Sequence, residues 1–146
     1  MKRPVAFLIS MILMFLAGCQ GAAPTQDVQK VTATPAIVIS GTYEDITPEI
    51  LASLLSKKDF TLINVHIPFA GNIPETDLSI PFDQIDQNLA KLPTEKNAKI
   101  VLYCSSGRMS SIAAKRLVEL GYTNIWNLAG GMSAWRKAGL QLEGVQ

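Results

Sequence analysis

Ile100-Val101-Leu102-Tyr103-Cys104-Ser105-Ser106-Gly107-Arg108-Met109-Ser110 joins an unbroken apolar run to a polar loop that carries a single glycine. A short run of this kind, β-branched at its start and followed directly by a helical pattern, predicts a strand buried on both faces. The helical pattern runs from about Ser110 to Leu120, and Gly121 closes it. Outward from this unit, strand and helix signals alternate. Toward the N-terminus, Leu62-Ile63-Asn64-Val65 reads as a second buried strand, Leu78 to Ile80 as a short one and Ile37 to Ser40 as another. Thr47 offers an N-cap before Pro48 and Glu49, and Ile50, Leu51, Leu54 and Leu55 then share one helical face. Pro81 to Leu92 has helical spacing at Phe82, Ile85 and Leu89, and Pro93 stops it. Beyond the quoted unit come a strand at Ile125 to Leu128, a Gly130-Gly131 turn and a short helix from Met132 to Ala138. This order predicts an α/β fold of three layers, a central parallel sheet of about five strands flanked by helices on both faces.

Such a sheet puts Cys104 at the carboxyl end of a buried strand, the edge where open α/β sheets hold their ligands. The start of the next helix supplies partial positive charge, loop N–H groups can converge on an anion, and Arg108 adds a full charge nearby. Each favours thiolate over thiol and points to a nucleophile. Ser105, Ser106 and Ser110 add hydroxyl donors, and Gly107 permits the tight curl. Loop position alone leaves a second reading open, an inert buried thiol filling the core beside Tyr103.

The whole-chain averages narrow the partners. The 146 residues hold 13 Lys plus Arg against 12 Asp plus Glu, so no basic surplus exists to neutralise a nucleic-acid backbone. An apolar fraction of 48% excludes a disordered chain. With one histidine, His66, and two cysteines, a closed zinc site would need carboxylates as well. No metal or cofactor is expected. Trp126 and Trp135 read as packing residues, Lys115 and Arg116 as a solvated helix face, and a monomer is the default.

Residues 1–18 skew those averages. Lys2 and Arg3 precede an apolar run from Val5 to Ala17 broken only by Ser10, the layout of a secretory signal. Its helix would be about 20 Å long, short of the roughly 30 Å hydrocarbon core of a bilayer. Leu16-Ala17-Gly18-Cys19 resembles the lipobox of bacterial lipoproteins. That resemblance implies cleavage after Gly18, lipidation of Cys19 by acyl chains such as palmitate, and anchoring at a cell membrane or outer membrane on an extracytoplasmic (periplasmic or extracellular) face. Loss of residues 1–18 would leave 11 basic against 12 acidic side chains. Residues 19–36, rich in Ala, Thr, Gln and Pro without helical or strand period, read as a lipidated flexible tether, and 37–146 as the folded domain.

From Thr47 to Gly139 the chain resembles the rhodanese-like sulfurtransferases. The resemblance rests on Leu62-Ile63-Asn64-Val65-His66, where the family has a strand ending Asp-Val-Arg, and on Gly71-Asn72-Ile73-Pro74, where it has Gly-His-Ile-Pro. It rests also on the loop from Cys104 to Ser110 and on Gly130-Gly131-Met132-Ser133-Ala134-Trp135, close to a Gly-Gly-x-x-x-Trp signature. It implies that Cys104 takes sulfur from a sulfane donor such as thiosulfate, holds it as a persulfide and passes it to cyanide or a thiol. The substrate-binding loop would be Ser105, Ser106, Gly107, Arg108, Met109 and Ser110, with N–H groups facing the outer sulfur much as an oxyanion hole faces oxygen. It also places Met132 near the loop mouth. A cysteine phosphatase loop would need Arg where this chain has Ser110, so the ring is one residue short of the phosphate-sized one.

The departures set up a rival. Asn64 and His66 stand for Asp and Arg, Asn72 for His, and Met109 for a frequent Arg. His66, on the same sheet edge as Cys104, is a candidate for tuning the thiolate. The non-enzyme alternative is a rhodanese-like binding or persulfide-sensing module that uses the same loop without turnover.

Overall fold

The computed structural model describes residues 38–40 and 43–145, so the expected signal, Cys19 and the whole of the expected tether lie outside the described residues. Six strands form one sheet: β1 (Val38–Ser40), β2 (Tyr43–Ile46), β3 (Thr61–Asn64), β4 (Leu78–Ser79), β5 (Ile100–Tyr103) and β6 (Ile125–Leu128). Their spatial order is β1-β2-β6-β5-β3-β4. Strands β2 to β6 are mutually parallel, five as expected in number, but the expected strand at Ile37 to Ser40 is β1, an antiparallel edge on β2, and β2 takes its place among the five.

Strand pleat sorts the apolar residues between two cores. Leu62, Val101, Tyr103, Ile46 and Leu128 face helices α1 (Pro48–Leu55) and α3 (Gly131–Lys137), where Leu51, Met132 and Trp135 meet them. Ile63, Ile100 and Leu102 face the other way, onto Ala113, Ala114 and Leu117 of α2 (Arg108–Glu119). All four residues of β5 are buried, which accounts for the missing polar alternation in its sequence. Each such Leu or Ile contributes about 1.5–3 kcal/mol through burial. Thr47 caps α1 as expected, its Oγ1 accepting the Ile50 N–H at 3.4 Å.

Three elements differ from expectation. Strand β2 was not anticipated, because its paired acids, Glu44 and Asp45, mask the buried ends Tyr43 and Ile46. The helical spacing over Pro81 to Leu92 forms two 3₁₀ stretches, Phe82–Gln84 and Asp86–Lys91, the second interrupted at Asn88 (φ −116°, ψ 15°). Phe82, Ile85 and Leu89 still reach the α2-side core: a tighter turn returns Ile85 to the face of Phe82 three residues on, and Leu89 follows the break at Asn88. Helix α2 begins at Arg108 rather than Ser110, so half of the expected loop is the helix's first turn. Among the described residues no helix is long and apolar enough to cross a membrane.

Candidate active site

Cys104 follows β5 directly and is 1% exposed. Its Sγ accepts the Gly107 N–H at 3.1 Å and the Ser110 hydroxyl at 3.5 Å. This geometry requires the chain to reverse within three residues, and Gly107 does so at φ +91°, a left-handed conformation that side-chain-bearing residues avoid. Ser110, also fully buried, lies in the first turn of α2 and is within 3.1 Å of the Gly107 carbonyl as well as near sulfur. Its hydroxyl has one proton for these two acceptors, and a charged thiolate draws it from the neutral carbonyl.

Burial pushes the Cys104 thiol up. The Ser110 hydroxyl and the N–H groups of Ser110, Ser106 and Gly107 more than offset this, so the thiol titrates below its ordinary range. These donors point at sulfur from the start of a helix, where unpaired N–H groups and the helix dipole both favour an anion. Arg108, expected to add a full charge, is exposed on the first helical turn and has no hydrogen bond to Sγ; the shift arises from Ser110 and main-chain dipoles. Met109 is half-buried against the α2-side core, and Ser105 and Ser106 lie in the loop, Ser106 exposed.

A second helix start holds the back of the loop. The N–H of Met132 reaches the Cys104 carbonyl at 2.8 Å and that of Ser133 reaches the Ser105 carbonyl at 2.9 Å. The expected approach of Met132 to the loop is therefore made by its main chain, while its side chain is fully buried in the α1/α3-side core. Trp135 packs in that core with its Nε1 on the Gln141 carbonyl at 2.8 Å.

The neighbouring strand end is organised by neutral amides. Asn64 Nδ2 donates to the Gly71 carbonyl at 3.0 Å and to Asn72 Oδ1 at 2.9 Å, while Asn64 Oδ1 accepts the His66 N–H at 2.9 Å. Tyr103, one residue before the cysteine, donates its hydroxyl to Asn72 Oδ1 at 3.2 Å, accepts the Ile73 N–H at 3.1 Å and shares a 2.7 Å bond with Thr76. Burial pushes the Tyr103 phenol above its ordinary range, so it stays protonated and can donate. Asn64 and Asn72 are thus partners of one another, a relation that their separate departures from the family pattern did not reveal. Tyr103 and Thr76 were not anticipated as members of this network; a tyrosine ending an otherwise aliphatic strand was the available signal.

His66 lies beside the loop: Asn64 pairs with Tyr103 across β3 and β5, and Val65 N–H reaches the Tyr103 carbonyl at 2.9 Å. Its Nδ1 is buried and finds no hydrogen-bond partner among the described residues, and no bond links it to Cys104. Among the described residues no group of three or more His, Cys, Asp or Glu is placed to hold a metal ion.

The site therefore combines a sheltered thiol, held below its ordinary range, with donors from the start of α2 that converge on its sulfur. The family model described as Rhodanese-like domain matches residues 47–138. A sulfurtransferase of Allochromatium vinosum is 32% identical over 92 residues, covering 61% of this chain and 83% of its own. Thiosulfate sulfurtransferase PspE of Escherichia coli is 36% identical over 55 residues, 38% of this chain and 52% of that one. Among solved structures, the rhodanese-like domain of an Anabaena protein superposes with a TM-score of 0.61 at 25% identity, covering 73% of this chain and 81% of that one. A thiosulfate sulfurtransferase from Pseudomonas aeruginosa gives 0.58 at 29% identity over 68% of this chain and 19% of the other. The chain belongs to the rhodanese-like domain family, and its relatives include sulfurtransferases.

Proposed function

We propose that this chain is a sulfurtransferase that moves sulfane sulfur through a persulfide on Cys104. The observation that carries the reading is the pair of donors on Sγ, the Gly107 N–H and the Ser110 hydroxyl, at the start of α2. The Cys104 thiolate attacks the outer sulfur of thiosulfate; the sulfur–sulfur bond of the donor breaks and its electron pair leaves with sulfite. The loop from Ser105 to Ser110 then surrounds the new terminal sulfur, which carries the negative charge. In the second half-reaction cyanide or a thiolate takes that sulfur and the pair returns to Sγ. Thiocyanate formation from thiosulfate and cyanide tests the cycle: the wild-type domain is expected to turn over and Cys104→Ala to fall to the uncatalysed rate. Turnover retained in Cys104→Ala overturns it.

Ser110 supports the thiolate in this reading. Ser110→Ala is expected to move the pH midpoint of Cys104 alkylation upward and to slow alkylation severalfold at neutral pH. The same titration addresses His66, proposed as a tuning residue from its position and its unpartnered Nδ1. His66→Gln is expected to alter the profile, and an unchanged one removes His66 from the mechanism.

We further propose that Cys19 carries the lipid anchor and holds the domain on an extracytoplasmic membrane face. Two or more acyl chains suffice for stable attachment. Support comes from the Leu16-Ala17-Gly18-Cys19 motif behind a charged and apolar leader. Cys19→Ser in the full chain is expected to abolish incorporation of labelled palmitate and to release the protein from the membrane fraction.

A further inference from the structure

The outer side of α2 meets the 3₁₀ stretches after Pro81 along an open groove of about 270 Å³, lined by Phe82, Asp83, Ile85, Asp86, Ile112 and Arg116. The groove lies on the same side of the sheet as the reactive thiol, since Ile85, Cys104, Phe82 and Met109 all belong to the α2-side core. Met109 precedes Ile112 by three residues, on the same side of α2 and one turn nearer the Cys104 loop. The opposite wall is tied to the neighbouring strand ends: the Phe82 N–H reaches the Val65 carbonyl at 3.1 Å, and the Val65 N–H reaches the Tyr103 carbonyl at 2.9 Å.

Folding alone does not account for the lining. Ile112 is 46% exposed, and with half-buried Phe82 it leaves an apolar strip open beside the reactive loop. The volume lies below the usual range of small-molecule sites and suits one anchoring side chain of a larger partner. Arg116 Nε and Nη2 donate to the two carboxylate oxygens of Asp86 at 2.8 Å each, which sets the width of the groove before anything binds.

The rim is acidic. Arg116 is shared between Asp86 and Glu119, and Asp83, exposed on the first 3₁₀ stretch, forms no ion pair among the described residues. Three carboxylates therefore surround one guanidinium. At about 100° per residue, Arg108 and Lys115 fall on the other flank of Ile112, and neither lines the groove. An apolar slot with excess negative charge complements an apolar side chain flanked by cations.

We propose that this groove is a docking surface for a protein partner, and that it takes one apolar side chain from a segment carrying lysine or arginine on either side of it. The inference rests on the sulfurtransferase reading and deepens it by naming the kind of macromolecule that is seated beside Cys104.

The test uses the full chain and three synthetic peptides, each with a chloroacetyl group on a short glycine linker. One has leucine between lysines, the second has glutamates for the lysines, and the third has alanine for the leucine. The Cys104 thiolate displaces chloride to form a thioether, so the labelling rate, with the site confirmed by mass, reports a peptide held next to the sulfur. Each rate is divided by that with iodoacetamide, which removes any change in the thiol itself. At low salt the first peptide is expected to label about tenfold faster than the second and about fivefold faster than the third. Ile112→Ala is expected to erase the leucine preference, and Asp83→Asn to reduce the lysine preference about threefold. Equal labelling by the three peptides, or preferences that survive both substitutions, overturns the docking surface. A dimer of the chain that Ile112→Ala dissociates also overturns it and gives the groove to a second copy. Labelling needs a thiolate but no persulfide, which separates the two levels of the argument. A leucine preference that Ile112→Ala removes supports the groove even if Cys104 loads no sulfur, and a missing preference contradicts it even if loading succeeds.

Discussion

Gly131→Ala is expected to be the most damaging single-methyl change in the domain, lowering stability by roughly 3 kcal/mol or more and disabling the cysteine loop together with the fold. A Cβ at this position would fall 2.2 Å from the Cys104 carbonyl oxygen and 2.9 Å from the Ser105 carbonyl carbon, both main-chain atoms that no rotamer change can remove. Gly131 also sits at φ +54°, where an L side chain adds about 1 kcal/mol of strain. Relief of the clash requires α3 to retreat from the loop, which breaks the Met132 and Ser133 N–H bonds to the Cys104 and Ser105 carbonyls. Gly139→Ala is the control: φ is +79° there, but nothing lies within 4 Å of the added methyl, so only the backbone strain remains. Thermal denaturation and Cys104 alkylation should show Gly131→Ala impaired in both and Gly139→Ala losing about 1 kcal/mol with normal alkylation. Equal behaviour of the two variants would show that the close approach of α3 does not hold the loop.

Asn64→Asp, although it restores the residue the family carries at this position, is expected to destabilise this chain by about 3–5 kcal/mol at neutral pH, or roughly 10–20 °C in Tm. Asn64 is 1% exposed, and its amide donates to two acceptor oxygens, those of Gly71 and Asn72. A carboxylate there would place negative charge against both acceptors with no donor to replace the lost N–H groups. Desolvation and those oxygens raise the folded-state pKa of the introduced acid above its unfolded value of about 3.9. Its neutral form can donate one hydrogen bond. The sign follows from linkage: the deficit is smallest below the unfolded pKa and grows as pH rises through the folded one. Pairing the change with Asn72→His, the other half of the family pattern, supplies a donor opposite the carboxylate and should recover part of the loss as a measurable coupling energy. Denaturant titrations of the single and double variants at acidic and neutral pH provide the readout. Additive losses would mean that the two asparagines are not energetically paired.

The sheet was legible where burial acts alone. The apolar runs of β3, β5 and β6 could be read directly, as could the Thr47-Pro48 helix start and the glycine that closes α2. Strand β2 escaped because Glu44 and Asp45 sit in its middle while parallel pairing to β6 holds it from the side, a long-range cause that leaves no local pattern. The stretch after Pro81 was ambiguous for a physical reason: residues three apart face one side in both an α-helix and a 3₁₀ turn. At the site, Cys104, Gly107 and Ser110 followed from a strand, a curl and a helix start in succession. Arg108 did not take the role its proximity in sequence suggested, since an exposed first-turn side chain points away while main-chain dipoles point inward. The Asn64–Asn72–Tyr103 network joins residues 8 and 31 positions apart, so each looked like an isolated oddity until the fold brought them together.

The central claim is that Cys104 carries sulfur. The domain is incubated with thiosulfate or polysulfide, its intact mass is recorded, and the product is treated with cyanide. The account predicts a gain of one sulfur atom located at Cys104, its removal by cyanide with formation of thiocyanate, and no gain in Cys104→Ser. A Cys104 that acquires no cyanide-removable sulfur from any sulfane donor would contradict it and leave a rhodanese-like binding module in its place.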